Sequence, residues 1–242
     1  MPYRALDIPE AAGYLHLTGR ELENLVKTTD IPCEYRGDRV VFFRSKLDAW
    51  ASRRILGLPA KRLVDYHQKS TRASREIFDQ DALMPDLLLP GFIEPSLKSK
   101  TKKSVIRDMA ALAETTGRVM DPAALIDSVE DREALCSTAL PGGVALLHCR
   151  DIQPYRFEDS FMVIGRTLQD IHFGASDGHP TRLFFLICCQ DERIHLHTLA
   201  RLCLIMLKTE VITLLLTAPD AEAMRAVLLD AEQQVITSNQ QA

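Results

Sequence analysis

Strand-length apolar runs alternate with helix signals through the last two-thirds of this chain, and that alternation constrains its fold more than any other feature. The runs fall at residues 144–147, 161–167 and 182–189. Ahead of them, residues 103–116 are amphipathic and stop at Gly117, and Asp121-Pro122 caps and starts a second helix reaching about Leu135. Further helices are expected near residues 194–208, 210–217 and 220–235. Strands interleaved with helices can bury their apolar faces only in layers, so this part is expected to be an α/β domain.

The amino-terminal part reads differently. Asp7-Ile8-Pro9-Glu10 and Thr18-Gly19-Arg20-Glu21 each set a capping residue three before a Glu, so two short helices start about eleven residues apart. That is helix-turn-helix spacing. Residues 31–36 and 39–44 are short apolar-polar runs separated by Gly37-Asp38, a two-residue hairpin signal. A helix over 45–54 follows, with Leu47 and Trp50 on one face. Helix-turn-helix, hairpin and helix together describe a small α+β winged helix over residues 1–54. Residues 55–78 are charged and expected to be helical, with Pro59 interrupting them and no evident core stripe. We read 55–82 as a partly helical linker or oligomerisation element, and 83–242 as the second domain.

Charge divides the same way. Residues 1–75 carry 14 Lys/Arg against 9 Asp/Glu, a net +5, while residues 76–242 carry 15 against 24, a net −9. A basic module on an acidic one suggests different partners for each. The longest apolar run, near 183–189, is far short of the roughly 18 residues a membrane helix needs, so no membrane insertion is expected. The first twenty residues carry charge and no secretory core. Six cysteines without a CxxC pair read as reduced thiols, and a cytoplasmic location is expected.

In the first module, Leu22, Leu25 and Val26 form the inward stripe of the second helix, leaving Arg20, Asn24 and Lys27 outward. Arg36 and Arg39 flank the hairpin turn. Arg and Asn at an exposed helix start suit base edges, and wing arginines suit phosphates, so duplex DNA is the expected partner. The run Ile8-Pro9-Glu10-Ala11-Ala12-Gly13-Tyr14-Leu15, with Ile31-Pro32, Arg36-Gly37, Phe43-Arg44 and Leu47-Asp48-Ala49-Trp50, resembles the excisionase-type, MerR-like winged-helix family.

A second constellation lies downstream. Gly142-Gly143 precede an apolar strand that delivers His148, with Arg150 two residues on, Arg132 upstream and His195-Leu196-His197 downstream. A neutral imidazole is a competent nucleophile near pH 7, and a phosphoryl group accepted there would need the planar donor fork of an arginine. On a helix, His195 and His197 lie about 200° apart. His197 is in register with Arg201 and Lys208, the expected solvated face; His195 is in register with Leu199, Leu202 and Met206. The pattern therefore favours His195 for the site.

Asp131-Arg132-Glu133-Ala134-Leu135, the glycine-rich approach to His148 and the His195-Leu196-His197-Thr198-Leu199 helix start resemble the type 2 enzyme IIA domain of the bacterial phosphoenolpyruvate-dependent phosphotransferase system. The resemblance covers roughly residues 83–235. It implies an α/β/α three-layer fold with a mixed sheet, and His148 as the phosphorylated histidine at Nε2. It further implies Arg132 and His195 as phosphoryl-binding partners and an HPr-type phosphocarrier as donor. No cofactor is expected, and no metal site either, since one built on His195 and His197 would need both on one helix face. Arg150 is an additional candidate cation for phosphate. The chain departs from the family at Leu147-His148-Cys149, where a proline usually precedes the histidine and a small residue follows it.

Three functions follow. In the first, phosphorylation of the second module controls DNA binding by the first, as a homodimer on paired half-sites, with the added charge docking the basic helix onto the acidic domain. In the second, the chain passes phosphate to a transporter IIB subunit. In the third, it is a DNA-binding or protein-binding regulator with a vestigial, unphosphorylated domain. His16, His67, His172 and His179 have no matched partners and read as structural. Cys149 is poorly placed to act with His148, because neighbours on a strand point to opposite sides. Cys136, Cys188, Cys189 and Cys203 read as core.

Overall fold

Both amino-terminal capping boxes form. The Asp7 carboxylate accepts from the Glu10 N–H at 2.9 Å while Glu10 accepts from the Asp7 N–H at 3.1 Å, and Thr18 and Glu21 repeat the exchange. These boxes start α1 (Ile8–Tyr14) and α2 (Gly19–Thr28), which follow a short β1 (Ala5–Leu6). The computed structural model describes residues 5–74 and 82–240. His16 turns the chain between the two helices at φ 54°, a left-handed conformation uncommon outside glycine. β2 (Glu34–Arg36) and β3 (Arg39–Phe43) pair antiparallel across Gly37-Asp38, with Gly37 at φ 62° as such a tight hairpin turn requires. β1, absent from the sequence expectation, takes the other edge of β3. Then comes α3 (Arg44–Leu56), whose Leu47, Trp50 and Ala51 join Phe42, Leu22 and Ala11 in the interior. The chain therefore begins with helices around a small three-stranded sheet.

Residues 55–78 differ from expectation. The expected helix is present after Pro59 as α4 (Ala60–Ser74), but it has a core stripe and packs with it against the carboxyl-terminal unit. Leu63, His67 and Ser70, spaced i, i+4 and i+7, form its buried stripe. Two of those three are polar, so hydropathy alone hides the stripe. The last four residues of that expected helix lie outside the described residues.

From there the order is α5 (Met84–Leu87), β4 (Ile93–Leu97), α6 (Lys102–Glu114), α7 (Pro122–Leu135), β5 (Ala139–Leu140), β6 (Val144–His148), β7 (Phe161–Ile171), β8 (Thr181–Cys188), α8 (Glu192–Lys208), α9 (Val211–Thr217) and α10 (Ala221–Gln240). The Asp121 side chain caps α7 by accepting from the Ala124 N–H at 3.0 Å. β4 and β5 were not legible as strands. β4 is interrupted by Pro95, and β5 has only two residues.

The sheet order is β4-β7-β8-β6-β5. β4/β7 and β6/β8 run parallel, β7/β8 and β5/β6 antiparallel, so the sheet is mixed. The helices gather into two groups. α6 packs with α7, while α8, α9 and α10 pack with one another, and each group also touches the sheet. Every side chain of β6 is buried, and Gly142 and Gly143 lead into it at φ 92° and 82°, with the Pro180 carbonyl too close to Gly143 for a side chain to fit comfortably. This strand carries His148 to its carboxyl end beside the parallel β8, the end at which α/β sheets usually present ligands.

Candidate functional site

Three elements converge at the end of β6. α7 contributes Arg132 from its last turn, α8 contributes His195 from its first turns, and β6 ends on His148. The Arg132 Nε–H donates to His148 Nε2 at 2.9 Å, and the His148 and His195 rings lie 4.8 Å apart between centroids. His148 Nδ1 stands 2.8 Å from the Leu146 carbonyl oxygen. A guanidinium only donates and a carbonyl only accepts, so Nδ1 carries the proton and Nε2 carries the lone pair. Burial, then the nearby Arg132 charge, holds His148 well below the usual histidine range. The ring is thus neutral, with its nucleophilic nitrogen facing a cation.

Arg132 has further reach. Its Nη1 donates to the Cys136 carbonyl at 3.0 Å, but Nη2 is buried without a hydrogen-bond partner among the described residues. His195 Nδ1 is likewise unpartnered, while its Nε2 lies 3.4 Å from Ser52 Oγ of α3. Unpaired buried polar atoms cost free energy and call for a compensating role. Here they surround a nucleophile, where an incoming group rich in acceptor oxygens would satisfy them. Next to Arg132, Glu133 pairs with Lys102 at 2.7 Å and accepts from the Thr138 N–H at 2.6 Å, fixing the end of α7 to the chain that enters β5.

Other expected residues fall as follows. Arg150 is exposed, pairs with Asp131 at 3.6 Å, and lines a cavity together with Arg132; it makes no hydrogen bond to His148. Arg20, Asn24 and Lys27 of α2 and Arg36 and Arg39 of the hairpin are all exposed. His172 and His179 are exposed and apart from the site. Cys149, Cys188, Cys189 and Cys203 are buried and free, and Cys136 is half-buried. No cluster of three or more metal-ligating side chains occurs among the described residues.

One expectation needs correction. His197 and Arg201 are not on a solvated face; they are 2% and 1% exposed. α4 covers them. Ser70 Oγ lies 2.7 Å from His197 Nδ1, His67 stacks on His197 at 5.3 Å, and the Arg201 Nε–H donates to His67 Nε2 at 2.6 Å. Arg201 also pairs with Glu232 of α10 at 2.8 Å. The helical separation of the two histidines holds, since His195 meets His148 while His197 meets α4. In the unphosphorylated chain α3 and α4 pack on α8, and Ser52, missed by the sequence reading, belongs to that contact. Only the i, i+4, i+7 spacing in α4 could have signalled the contact.

Five of the seven histidines are therefore buried. Burial lowers His16 to about 4 and His67 and His195 to about 3, and holds His148 and His197 well below their ordinary value. The unfolded chain titrates near 6.5, so between about pH 6.5 and about pH 3 it binds more protons than the folded one. Their contribution to stability is complete above that window and is lost as pH falls through it. We expect the urea midpoint to drop clearly on acidification from about pH 7 to about pH 5. A midpoint unchanged over that range would contradict the neutral, buried state of these rings.

The mixed α/β unit is that of the phosphotransferase-system IIA proteins. The chain belongs to the family described as phosphoenolpyruvate-dependent sugar phosphotransferase system, EIIA 2, which matches residues 86–231. A nitrogen regulatory protein of Bradyrhizobium diazoefficiens is 33% identical over 146 residues, covering 59% of this chain and 92% of that one. The fructose-specific EIIABC component of Bacillus subtilis is 27% identical over 140 residues, which span 57% of this chain but only 22% of that protein. Among solved structures, the nitrogen regulatory protein IIA-Ntr from Neisseria meningitidis superposes with a TM-score of 0.55 at 26% identity, covering 61% of this chain and 99% of that one. The family model leaves residues 1–85 unmatched.

Proposed function

We propose that this chain is a phosphohistidine protein of the phosphotransferase system, and that the state of His148 controls DNA binding by its amino-terminal unit. One observation carries the first half. The His148 Nε2 lone pair is fixed by tautomer and held 2.9 Å from Arg132, within a shell of unpaired buried polar atoms. In the transfer, Nε2 attacks the phosphorus of a phosphohistidine on an HPr-type carrier. The new N–P bond forms as the carrier's N–P bond breaks, and the carrier's imidazole recovers its electron pair. Arg132 exchanges the ring nitrogen for a phosphoryl oxygen and stabilises the charge in flight, and His195 donates to another oxygen.

The second half rests on the exposed cations. α1 and α2 with their turn, the hairpin and α3 follow in the order of a winged helix-turn-helix, with Arg20, Asn24 and Lys27 outward on α2 and Arg36 and Arg39 at the hairpin tip. A basic unit of this kind binds duplex DNA weakly and with strong salt dependence unless dimerised on two half-sites. The name of the Bradyrhizobium relative, most of whose length is covered, favours regulation over onward transfer to a transporter IIB subunit. We expect phosphorylation to change DNA affinity at fixed salt at least about fivefold, a coupling of about 1 kcal/mol. The check is a titration of the phosphorylated and unphosphorylated full chain against a genomic DNA library. Equal affinities would remove the coupling; absence of DNA binding by both would remove the DNA-binding reading.

A further inference from the structure

His148 is nucleophilic by tautomer and yet closed to solvent. Its exposure is 1%, that of Arg132 1% and that of His195 3%. A phosphodonor must bring phosphorus to Nε2, so it has to reach the surface above those three side chains. That surface is occupied by the chain's own α3. At its start, Arg44 pairs with Glu192 of α8 at 3.6 Å. One turn on, Asp48 is buried, and Ser52, one turn further, is 2% exposed with its hydroxyl 3.4 Å from His195 Nε2. Lys46, Trp50 and Arg53 face Arg132, Cys136 and Arg150 across a cavity of about 400 Å3. α3 thus bridges the amino end of α8 and the carboxyl end of α7, the gap from which His148 would receive its phosphoryl group.

We propose that α3 occupies the docking surface for the phosphodonor, so that the amino-terminal unit and a phosphocarrier protein exclude one another and phosphorylation of His148 requires and then maintains undocking of α3. This inference rests on His148 being the phosphoryl acceptor, as proposed above. It reverses the sign expected from sequence, where phosphorylation was to dock the two units. They are docked already, with a neutral histidine beneath the seam.

Two physical points support the direction. The Arg132 Nε–H sits 2.9 Å from Nε2, so a phosphoryl group on that nitrogen must displace the guanidinium, which lies under α3 at the edge of the cavity that the two units share. Second, a phosphoryl group adds about two negative charges. Asp48, Glu192 and Asp151 already crowd the seam: burial, then the Glu192 and Asp151 charges, pushes the Asp48 carboxyl well up, although the Tyr14 hydroxyl donates to it. More negative charge beside Glu192 and Asp151 opposes closure, while Arg132 and Arg150 on the carboxyl-terminal side of the cavity remain available to the phosphoryl group in the open form.

The test uses the full chain and phosphoramidate, a small donor that needs no carrier surface. Initial rates of mass gain by one phosphoryl group are compared for the native chain, for Ser52→Arg, which wedges a long cation into the seam, and for Arg44→Glu. Arg44 is half-buried at the edge of the seam, with its guanidinium 5.3 Å from the Tyr14 ring, and its replacement by Glu turns an ion pair into two facing carboxylates; urea unfolding of this variant checks that the amino-terminal core is kept. We expect at least about tenfold faster labelling of His148 in the opened variants, since access scales with the open fraction. We also expect faster amide exchange over α3 in the phosphorylated native chain. Equal labelling rates in all three chains, or α3 exchange unchanged by phosphorylation, would overturn the cap while leaving His148 as the acceptor. No labelling of any of the three would overturn both the cap and the phosphohistidine reading beneath it.

Discussion

If His148 accepts a phosphoryl group as proposed, we expect Arg132→Ala to lower the rate of its uptake about 10²–10³-fold, the range for removing a preorganised charged donor from a developing oxyanion. Arg132 is the only guanidinium within hydrogen-bond distance of His148 Nε2 among the described residues, and its Nη2 is already desolvated and unpaired. Its charge therefore acts in a dry site, where each donor is worth far more than in water. Arg132→Lys keeps the charge and loses the fork, and recovers only part of the rate. The measurement is the initial rate of labelling by a phosphorylated HPr-type carrier. Urea unfolding of each variant separates lost catalysis from lost structure, because Nη1 also holds the Cys136 carbonyl. An Arg132→Ala rate within twofold of the native one would show that the guanidinium serves the fold alone.

Arg201→Met has the largest expected effect on stability. Arg201 and Glu232 are each 1% exposed and pair at 2.8 Å, and the Glu232 carboxylate also accepts from the Leu83 and Met84 N–H groups at 3.0 and 2.9 Å. The pair ties α8 to α10 and to the segment entering α5. Removing one partner of a buried pair strands the other charge, at a cost of about 3–5 kcal/mol. Burial already pushes Glu232 above its ordinary range, against the pull of Arg201. In the variant it folds protonated at low pH, so the gap between variant and native stability narrows on acidification. Arg201→Met combined with Glu232→Gln should recover part of the loss, since no charge is then stranded. Urea unfolding of the three chains reads this directly, and a single-variant loss below about 1 kcal/mol would contradict it.

Much of the carboxyl-terminal fold was legible because its signals are local. The apolar run into His148, the Asp121 cap of α7 and the Gly117 stop each depend on a few neighbouring residues, and each element appears within one or two residues of its expected bounds. Two elements escaped. β4 contains a proline and alternates poorly, and β5 is held mainly by its partner. Of the site, His148, Arg132 and His195 were read from motif and helix register, and they are brought together. The misreading of His197 and Arg201 has a different cause. A histidine and an arginine on a helix face suggest solvent, but α4 meets them with His67 and Ser70, so a polar stripe covers a polar stripe. Periodicity counted in apolar residues cannot see such a contact. For the same reason nothing in the sequence announced that α3 would close over the histidine: Ser52 is a small polar residue whose role appears only in the folded contact.

The central claim is that His148 accepts a phosphoryl group, and intact mass decides it most directly. The full chain and its His148→Ala variant are incubated with phosphoenolpyruvate, enzyme I and an HPr-type carrier. The native chain should gain one phosphoryl group in an acid-labile, base-stable linkage, and the variant should gain none while keeping its fold. A variant that is labelled as the native chain is, or a native chain that remains unlabelled while the carrier is fully phosphorylated, would contradict the account.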